Sequence, residues 1–151
     1  MKTIFDKRIR AELIERTNQL DSESKALWGK MNVNQMTKHC IIWHQWVLDV
    51  DNKIEYKQNF IGKLFGKMVL NRNTKDDKPL SKNAPAGSDF IVNEKSGDLE
   101  RQKMTLIELI EQYEQYNNSN YIHDFFGKMT IEQIGIFAYK HSEHHLRQFG
   151  V

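Results

Sequence analysis

The chain has only two prolines, Pro79 and Pro85, and both lie in one short segment. Because proline breaks the interior of a helix, the rest of the 151-residue chain is free to form long helices. Apolar residues recur there with the spacing of amphipathic helices. This spacing predicts four main helices, one marked by Phe5, Ile9 and Leu13 and three spanning roughly Val33 to Val50, Leu99 to Tyr116 and Ile131 to Gln148.

A long connection, about residues 51 to 98, joins the second and third predicted helices. Its first part, NFIGKLFGKMVL, predicts a short extra helix, with apolar residues at helical spacing: Ile61, Leu64, Phe65 and Met68. The segment KDDKPLSKNAPAGSDF has the composition of a loop. No strand pattern competes with this interpretation. We therefore expect one all-α domain over residues 1–151, a four-helix bundle with a long crossover between helices 2 and 3.

Two segments of the chain repeat one another in part, WGKMNVNQM at 28–36 and FGKMTIEQI at 126–134. Each has an aromatic-Gly-Lys-Met turn, then a candidate N-cap (Asn32 or Thr130), and a glutamine three residues after the cap (Gln35 or Gln133). This spacing is typical of a capping box, in which cap and glutamine side chains each accept a bond from the other's backbone N–H. Helices 2 and 4 are therefore predicted to begin in the same way.

Three of the six histidines lie in the segment HSEHHLRQFG, residues 141–150. At about 100° per residue, His141 and His145 fall within the apolar stripe that includes Ile134 and Ala138, and His144 falls at its edge. Residues four apart on a helix are neighbours, so both inward-facing imidazoles can reach one ion. Their register with an amphipathic helix makes a purification tag a poor explanation.

Helix 2 supplies a third inward-facing histidine. With Met36 setting the apolar side, His39 falls within the core-facing half of the helix, and His44 falls on its flank. Cys40 points about 100° away from His39 and is expected to pack in the core.

His39, His141 and His145 are therefore candidate ligands of one metal site. His39 lies roughly 10 Å from the start of helix 2 and His141 roughly 10 Å from the end of helix 4, so they are level if the helices are antiparallel. Three neutral imidazoles leave a coordination position open, as catalytic sites do. Zinc or nickel is favoured, with iron or manganese as alternatives. The competing interpretation is that each ring is a hydrogen-bonded core residue.

Three further residues are weaker candidates for the surroundings of this site. Gln148 lies one turn after His145, where it can hydrogen-bond a ligand ring or a bound water. His144 is either a solvated rim residue, which we favour, or it supports a ligand, replaces one as an alternative ligand, or pairs with a carboxylate. His123, before helix 4, either contacts a ligand residue or the substrate, or packs within its loop; we slightly favour loop packing.

The composition excludes several classes of partner. The net charge is +2 and no basic stripe is interleaved with aromatic residues, so no nucleic-acid partner is expected. No apolar run approaches the length of a membrane span, and the charged N-terminal segment does not resemble a signal peptide. We therefore expect no membrane partner. The single cysteine, Cys40, cannot form an intramolecular disulfide, and we expect a cytoplasmic location.

The motifs Gln-Met-x-x-His, in VNQMTKHC, and His-x-x-x-His, in KHSEHHLRQFG, resemble those of the DinB-like (damage-inducible) metalloenzyme superfamily. The segments LWGKMNVNQM and HDFFGKMT are similar to a branch of unassigned function, and the resemblance extends from about Leu27 to the end. It implies a bundle of up-down-down-up order, with a metal held between helices 2 and 4 by His39, His141 and His145. Characterised relatives include thiol-dependent S-transferases and a thiol-dependent isomerase.

This resemblance leads us to expect a divalent-metal-dependent transferase or isomerase that acts on a small molecule, with a low-molecular-weight thiol as candidate cosubstrate. The basic connection 51–98 is expected to cover the site. The alternative is a non-catalytic stress protein that binds a metal or another ligand, and a fourth protein ligand would favour it. A homodimer is the default expectation for the oligomeric state.

Overall fold

The computed structural model describes residues 1–51, 53–84 and 87–151, so Asn52, Pro85 and Ala86 of the long connection lie outside the described residues. Helices make up almost all of the regular structure in the described part. They are α1 (Lys7–Asn18), α2 (Val33–Leu48), α3 (Phe60–Thr74), α4 (Leu99–Gln112) and α5 (Ile131–Gln148), with 3-10 turns at Ser88–Phe90 and Tyr113–Gln115. The prediction of a mostly helical chain is confirmed.

A two-stranded hairpin corrects the expectation that the chain contains no strands. β1 (Ile122–His123) pairs antiparallel with β2 (Gly127–Lys128), and His123 lies opposite Gly127. Gly127 has a φ of 74°, which glycine adopts without strain, and this conformation closes the turn. Each strand has only two residues, too few to show the alternation by which strands are predicted.

Both predicted capping boxes form. At the start of α2, Oδ1 of Asn32 accepts from the N–H of Gln35 at 2.9 Å, and Oε1 of Gln35 accepts from the N–H of Asn32 at 3.1 Å. At the start of α5, Thr130 and Gln133 make the same pair of bonds at 3.1 and 3.0 Å. These bonds satisfy N–H groups that a helix start leaves unpaired. The repeat in the sequence is thus a repeat of local structure.

The ends of α1 and α2 differ from those predicted. Asp6 is the N-cap of α1, so Phe5 lies before the helix and not in its first turn. α2 ends at Leu48 because Asp49 takes a left-handed conformation with a φ of 50°. The predicted end at Val50 is therefore two residues too late.

Helices α3 and α4 also differ in length from the prediction. α3 covers 15 residues, so it is not the short helix expected between residues 59 and 70. α4 ends at Gln112, and a 3-10 turn carries the chain to Gln115 in place of a helix that continues to Tyr116.

α2 and α5 lie side by side and run in opposite directions. Just before α2, the carbonyl of Trp28 accepts from Nε2 of Gln148, the last residue of α5, at 2.8 Å. Near the other end of α2, Nε2 of His44 lies 3.0 Å from Oγ of Ser142 in the middle of α5. The start of α2 therefore meets the end of α5, as the depths of His39 and His141 require.

α4 packs against both α1 and α2. Nζ of Lys103, near the start of α4, donates to the carbonyl of Leu20, which follows α1, at 2.8 Å. Arg10, near the start of α1, forms an ion pair with Glu114, beyond the end of α4. α1 and α4 therefore run in opposite directions.

Contacts at both ends show that α2 and α4 run in the same direction. The side chain of Asn32 donates to the carbonyl of Lys95, shortly before α4, at 2.8 Å. The side chain of Asn118, after α4, donates to the carbonyl of Val47 at 2.9 Å. The core between these helices contains fully buried apolar side chains, among them Leu13, Met36, Val47 and Ile110.

Most of α3 lies against the turn of the hairpin, and its Leu70 reaches the core. Gly62 and Gly66 face Phe125 so closely that a β-carbon on either glycine would collide with the Phe125 carbonyl oxygen. The far end of α3 is held by Lys140 of α5, whose ammonium donates to the carbonyl of Asn73 at 2.8 Å. α3 is thus fixed at two points along its length.

None of the helices described is both long enough and apolar enough to cross a membrane.

Candidate metal centre

His39 on α2 meets His141 and His145 of α5 between the two helices. The ring centroids lie 5.3 Å apart for His39 and His141, and 4.8 Å apart for each of the other two pairs. One ring nitrogen from each histidine lies within 4.8 Å of the others. The structure therefore brings the three predicted ligands close enough together to hold one metal ion.

For His39 and His145, the hydrogen bond made by Nδ1 determines which ring nitrogen has a lone pair available for a metal ion. Nδ1 of His39 lies 2.8 Å from the carbonyl oxygen of Phe90, which can only accept, so Nδ1 carries the hydrogen. Nδ1 of His145 lies 2.9 Å from Oε1 of Gln148, and the amide of Gln148 is held in that orientation because its Nε2 donates to Trp28. Nε2 of both neutral rings therefore keeps a free lone pair.

Gln148 thus makes the hydrogen bond to a candidate ligand ring that its spacing predicts. Such a bond fixes both the tautomer and the orientation of a ligating imidazole.

His141 is positioned by stacking and faces His39. Its ring stacks on Trp43, with centroids 4.1 Å apart and an interplanar angle of 18°. Nε2 of His141 lies 3.3 Å from Nε2 of His39. Metal–nitrogen bonds of about 2.0–2.1 Å in a tetrahedral site place two ligand nitrogens roughly 3.3–3.4 Å apart. The spacing of this pair therefore already fits a shared ion.

Burial keeps the three rings neutral. It lowers the pKa of His39, and it lowers the pKa of His145 to about 3. The pKa of His141 is well below its usual value, first because of burial and then because His145 and His39 are close. Neutral imidazole is the form that binds a cation, so the site is in its binding form at neutral pH.

His44 is buried in the core, which corrects its predicted place on the flank of helix 2. It is 0% exposed because α4 covers that side of α2. The Ser142 hydroxyl donates to the carbonyl of Ala138 and so accepts from Nε2 of His44, and the hydroxyl of Tyr113 donates to Nδ1. Both nitrogens of His44 are therefore engaged, and burial lowers its pKa to about 3.

His144 lies beside the three histidines without joining them. It is half-buried, its ring centroid is 5.0 Å from that of His145, and its ring makes an edge-to-face contact with the ring of Trp28, with centroids 5.7 Å apart. Nδ1 of His144 has no hydrogen-bond partner among the described residues. In the described part of the chain, the close group of possible ligands comprises His39, His141 and His145.

His123 and Cys40 lie in other surroundings. Nδ1 of His123 donates to Oδ1 of Asp124 at 2.8 Å, the same oxygen accepts from the backbone N–H of Phe125 at 2.8 Å, and the ring of His123 packs on Phe126. His123 therefore holds the hairpin, which is the loop-packing alternative. Cys40 is buried beside Met36, as predicted, and burial raises the pKa of its thiol.

The contribution of Phe90 could not be found from the sequence. It belongs to a 3-10 turn in the long connection, and its backbone carbonyl orients His39. Every residue has a carbonyl, so no residue type marks such a role. The turn is held on α2 because Nε2 of Gln35 donates to the carbonyl of Val92 at 2.9 Å. This part of the connection therefore covers His39.

Comparison with known families adds one finding. Residues 8–150 match the family described as "Protein of unknown function (DUF1569)". Neither a curated protein nor a solved structure matches the chain. The family match covers nearly the whole chain and assigns no activity.

Proposed function

We propose that this chain, which belongs to the DUF1569 family of proteins of unknown function, binds one divalent metal ion through His39, His141 and His145 and uses it in catalysis. The observation that carries the proposal is the convergence of three imidazoles between two antiparallel helices. Two of them are held in the ligating tautomer by Phe90 and Gln148.

The chain's own residues would prepare the site in three ways. Hydrogen bonds orient the rings of His39 and His145, and stacking on Trp43 orients His141. Burial keeps the rings deprotonated. An ion bound by three protein ligands has an open coordination position, where it can polarise a carbonyl or lower the pKa of a thiol. Nitrogen ligands favour zinc or nickel, with iron or manganese as alternatives.

We further propose membership of the DinB-like superfamily and its up-down-down-up bundle order. The directions of the helices support that order, since α4 runs opposite to α1, α2 runs with α4, and α5 runs opposite to α2. In this arrangement the metal lies between the second and the last helix of the bundle. α3 belongs to the crossover.

The reaction that we propose is a transfer or an isomerisation that uses a low-molecular-weight thiol. Its support is the similarity of the histidine motifs to those of thiol-dependent enzymes, together with a site of three ligands. The test is to replace the ion with cobalt and to titrate the protein with several small thiols. We expect at least one thiol to shift the visible cobalt spectrum. A spectrum that no thiol changes would rule out this reaction.

A non-catalytic metal-binding protein is the second candidate, and the position of His144 favours it. A structural site has four protein ligands. His144 lies next to His145 and has an unpartnered Nδ1, so it is the nearest candidate for a fourth. A His144→Ala variant distinguishes the two, because metal affinity falls steeply only if His144 is a ligand.

A further inference from the structure

α3 exposes five large apolar side chains, which we call the outer face of α3. Their exposed fractions range from 50% to 75%, for the residues Phe60, Ile61, Leu64, Phe65 and Met68. The buried positions of the same helix are Gly62, Gly66, Leu70 and Thr74. At about 100° per residue, the outer face spans roughly 140° and is centred opposite these buried positions.

This helix has apolar or small residues on both sides, and the described part of the chain covers only one of the two sides. A surface helix normally has polar residues on the side away from the core. The outer face exposes an apolar area on the order of 500 Å², at the upper end of what monomeric proteins expose, and patches of that size often bind a partner.

The charges of α3 all have one sign. Its sequence, FIGKLFGKMVLNRNT, contains Lys63, Lys67 and Arg72 and no acidic residue. At about 100° per residue, Lys67 and Lys63 lie about 20° and 60° beyond the Phe60 edge of the outer face, and Arg72 lies within its arc; all three are exposed. Bulky apolar side chains bordered by basic residues are typical of helices that lie in the interface of a membrane, where anionic lipids attract the basic groups.

We propose that the outer face of α3 docks the protein onto an anionic lipid surface. α3 is already folded before it binds, because Gly62 and Gly66 pack against Phe125 and Lys140 hydrogen-bonds the end of the helix. Phe60 and Leu64 enter the acyl boundary, and Lys63 and Arg72 meet lipid phosphates, whereas Lys67 donates to the carbonyl of Lys128. The absence of membrane spans, from which we expected no membrane partner, does not bear on such peripheral binding.

Two observations favour lipid over a second copy of the chain. A twofold interface would place the outer face against itself, which brings the basic residues of one α3 towards those of the other. In addition, an area on the order of 500 Å² is below the roughly 800 Å² per partner of a standard protein interface.

The experiment is cosedimentation with vesicles of phosphatidylcholine alone or mixed with phosphatidylserine. The variant is Phe60→Ser with Leu64→Ser, and its matched control is Met104→Ser with Ile131→Ser, which removes two apolar side chains that are each 59% exposed on α4 and α5. We expect the wild type and the control to bind the anionic vesicles with equal affinity. The affinity of the variant should be roughly a hundredfold lower, because the loss of each apolar side chain weakens binding about tenfold or more. Circular dichroism and thermal unfolding verify that both are folded.

A second pair of variants tests the charges. Lys63→Gln with Arg72→Gln should weaken binding by roughly tenfold or more, as added salt should, whereas Lys7→Gln with Lys25→Gln should not. The proposal is overturned if the wild type does not bind anionic vesicles, or if the Phe60→Ser, Leu64→Ser variant binds them with the affinity of the wild type. It is equally overturned if the wild type dimerises without binding vesicles and that variant is a monomer, since the outer face then binds a second copy.

Discussion

Replacement of Gln148 by leucine should weaken metal binding without removing a ligand. Oε1 of Gln148 is the acceptor for Nδ1–H of His145, at 2.9 Å, and both residues are buried. Leucine has a similar volume and cannot accept this hydrogen bond. To ligate through Nε2, His145 would then have to keep a buried N–H without a partner.

The expected size of the effect follows from that N–H. A buried donor left without an acceptor costs about 1–3 kcal/mol, and every 1.4 kcal/mol is a tenfold change in affinity. The metal-free protein escapes this cost, because its His145 can change tautomer. We therefore expect the Gln148→Leu variant to bind zinc roughly ten- to hundredfold more weakly, with unchanged stoichiometry.

Competition with a chromophoric chelator at neutral pH measures this affinity, and Gln148→Glu is the matched control. Both variants lose the bond from Nε2 of Gln148 to Trp28 and should lose stability. Only the glutamate keeps an acceptor for His145, so its zinc affinity should stay much closer to that of the wild type. Wild-type affinity in Gln148→Leu, or an equal loss in both variants, would refute the reasoning.

Three further predictions concern stability. The metal-free protein should lose stability as the pH falls below about 6.5, because buried histidines of lowered pKa stay neutral while the unfolded chain gains protons. His44, with a pKa of about 3, accounts for about 1.4 kcal/mol per pH unit of this loss, so urea unfolding at several pH values should show a slope smaller by that amount for His44→Asn, and an unchanged slope would contradict this. Gly66→Ala should lower the free energy of unfolding by about 1–3 kcal/mol through its collision with the hairpin turn, whereas Asn71→Ala on the exposed side of α3 should not. Thr130→Ala should cost about 1 kcal/mol in the same assay by removing the cap of α5, and equal effects in Thr130→Ala and the mid-helix control Thr105→Ala would argue against the capping box.

The helices could be predicted where sequence and local chemistry agree. α5 has the predicted bounds because its apolar spacing begins at the cap Thr130 and ends before Gly150. α1 begins later than its apolar residues suggest, because the Asp6 carboxylate accepts from the first turn. The strands β1 and β2 were missed because two residues are too few to form a pattern.

The candidate site was predictable only for residues on one helix face. The spacing of His141 and His145 and the depth of His39 identify the three rings. A helical wheel shows the faces of a single helix without its neighbours, so it could not show that α4 covers His44. It also could not show which apolar side of α3 remains exposed, or that the carbonyl of Phe90 orients His39.

Metal content tests the central claim most directly. Untagged wild-type protein and the His141→Ala, His145→Ala double variant should be purified in parallel and subjected to elemental analysis, with circular dichroism to verify that both are folded. We predict about one equivalent of a divalent transition metal in the wild type and in the neighbouring control His144→Ala, and none in the double variant. Equal metal content in the wild type and the double variant would contradict the account.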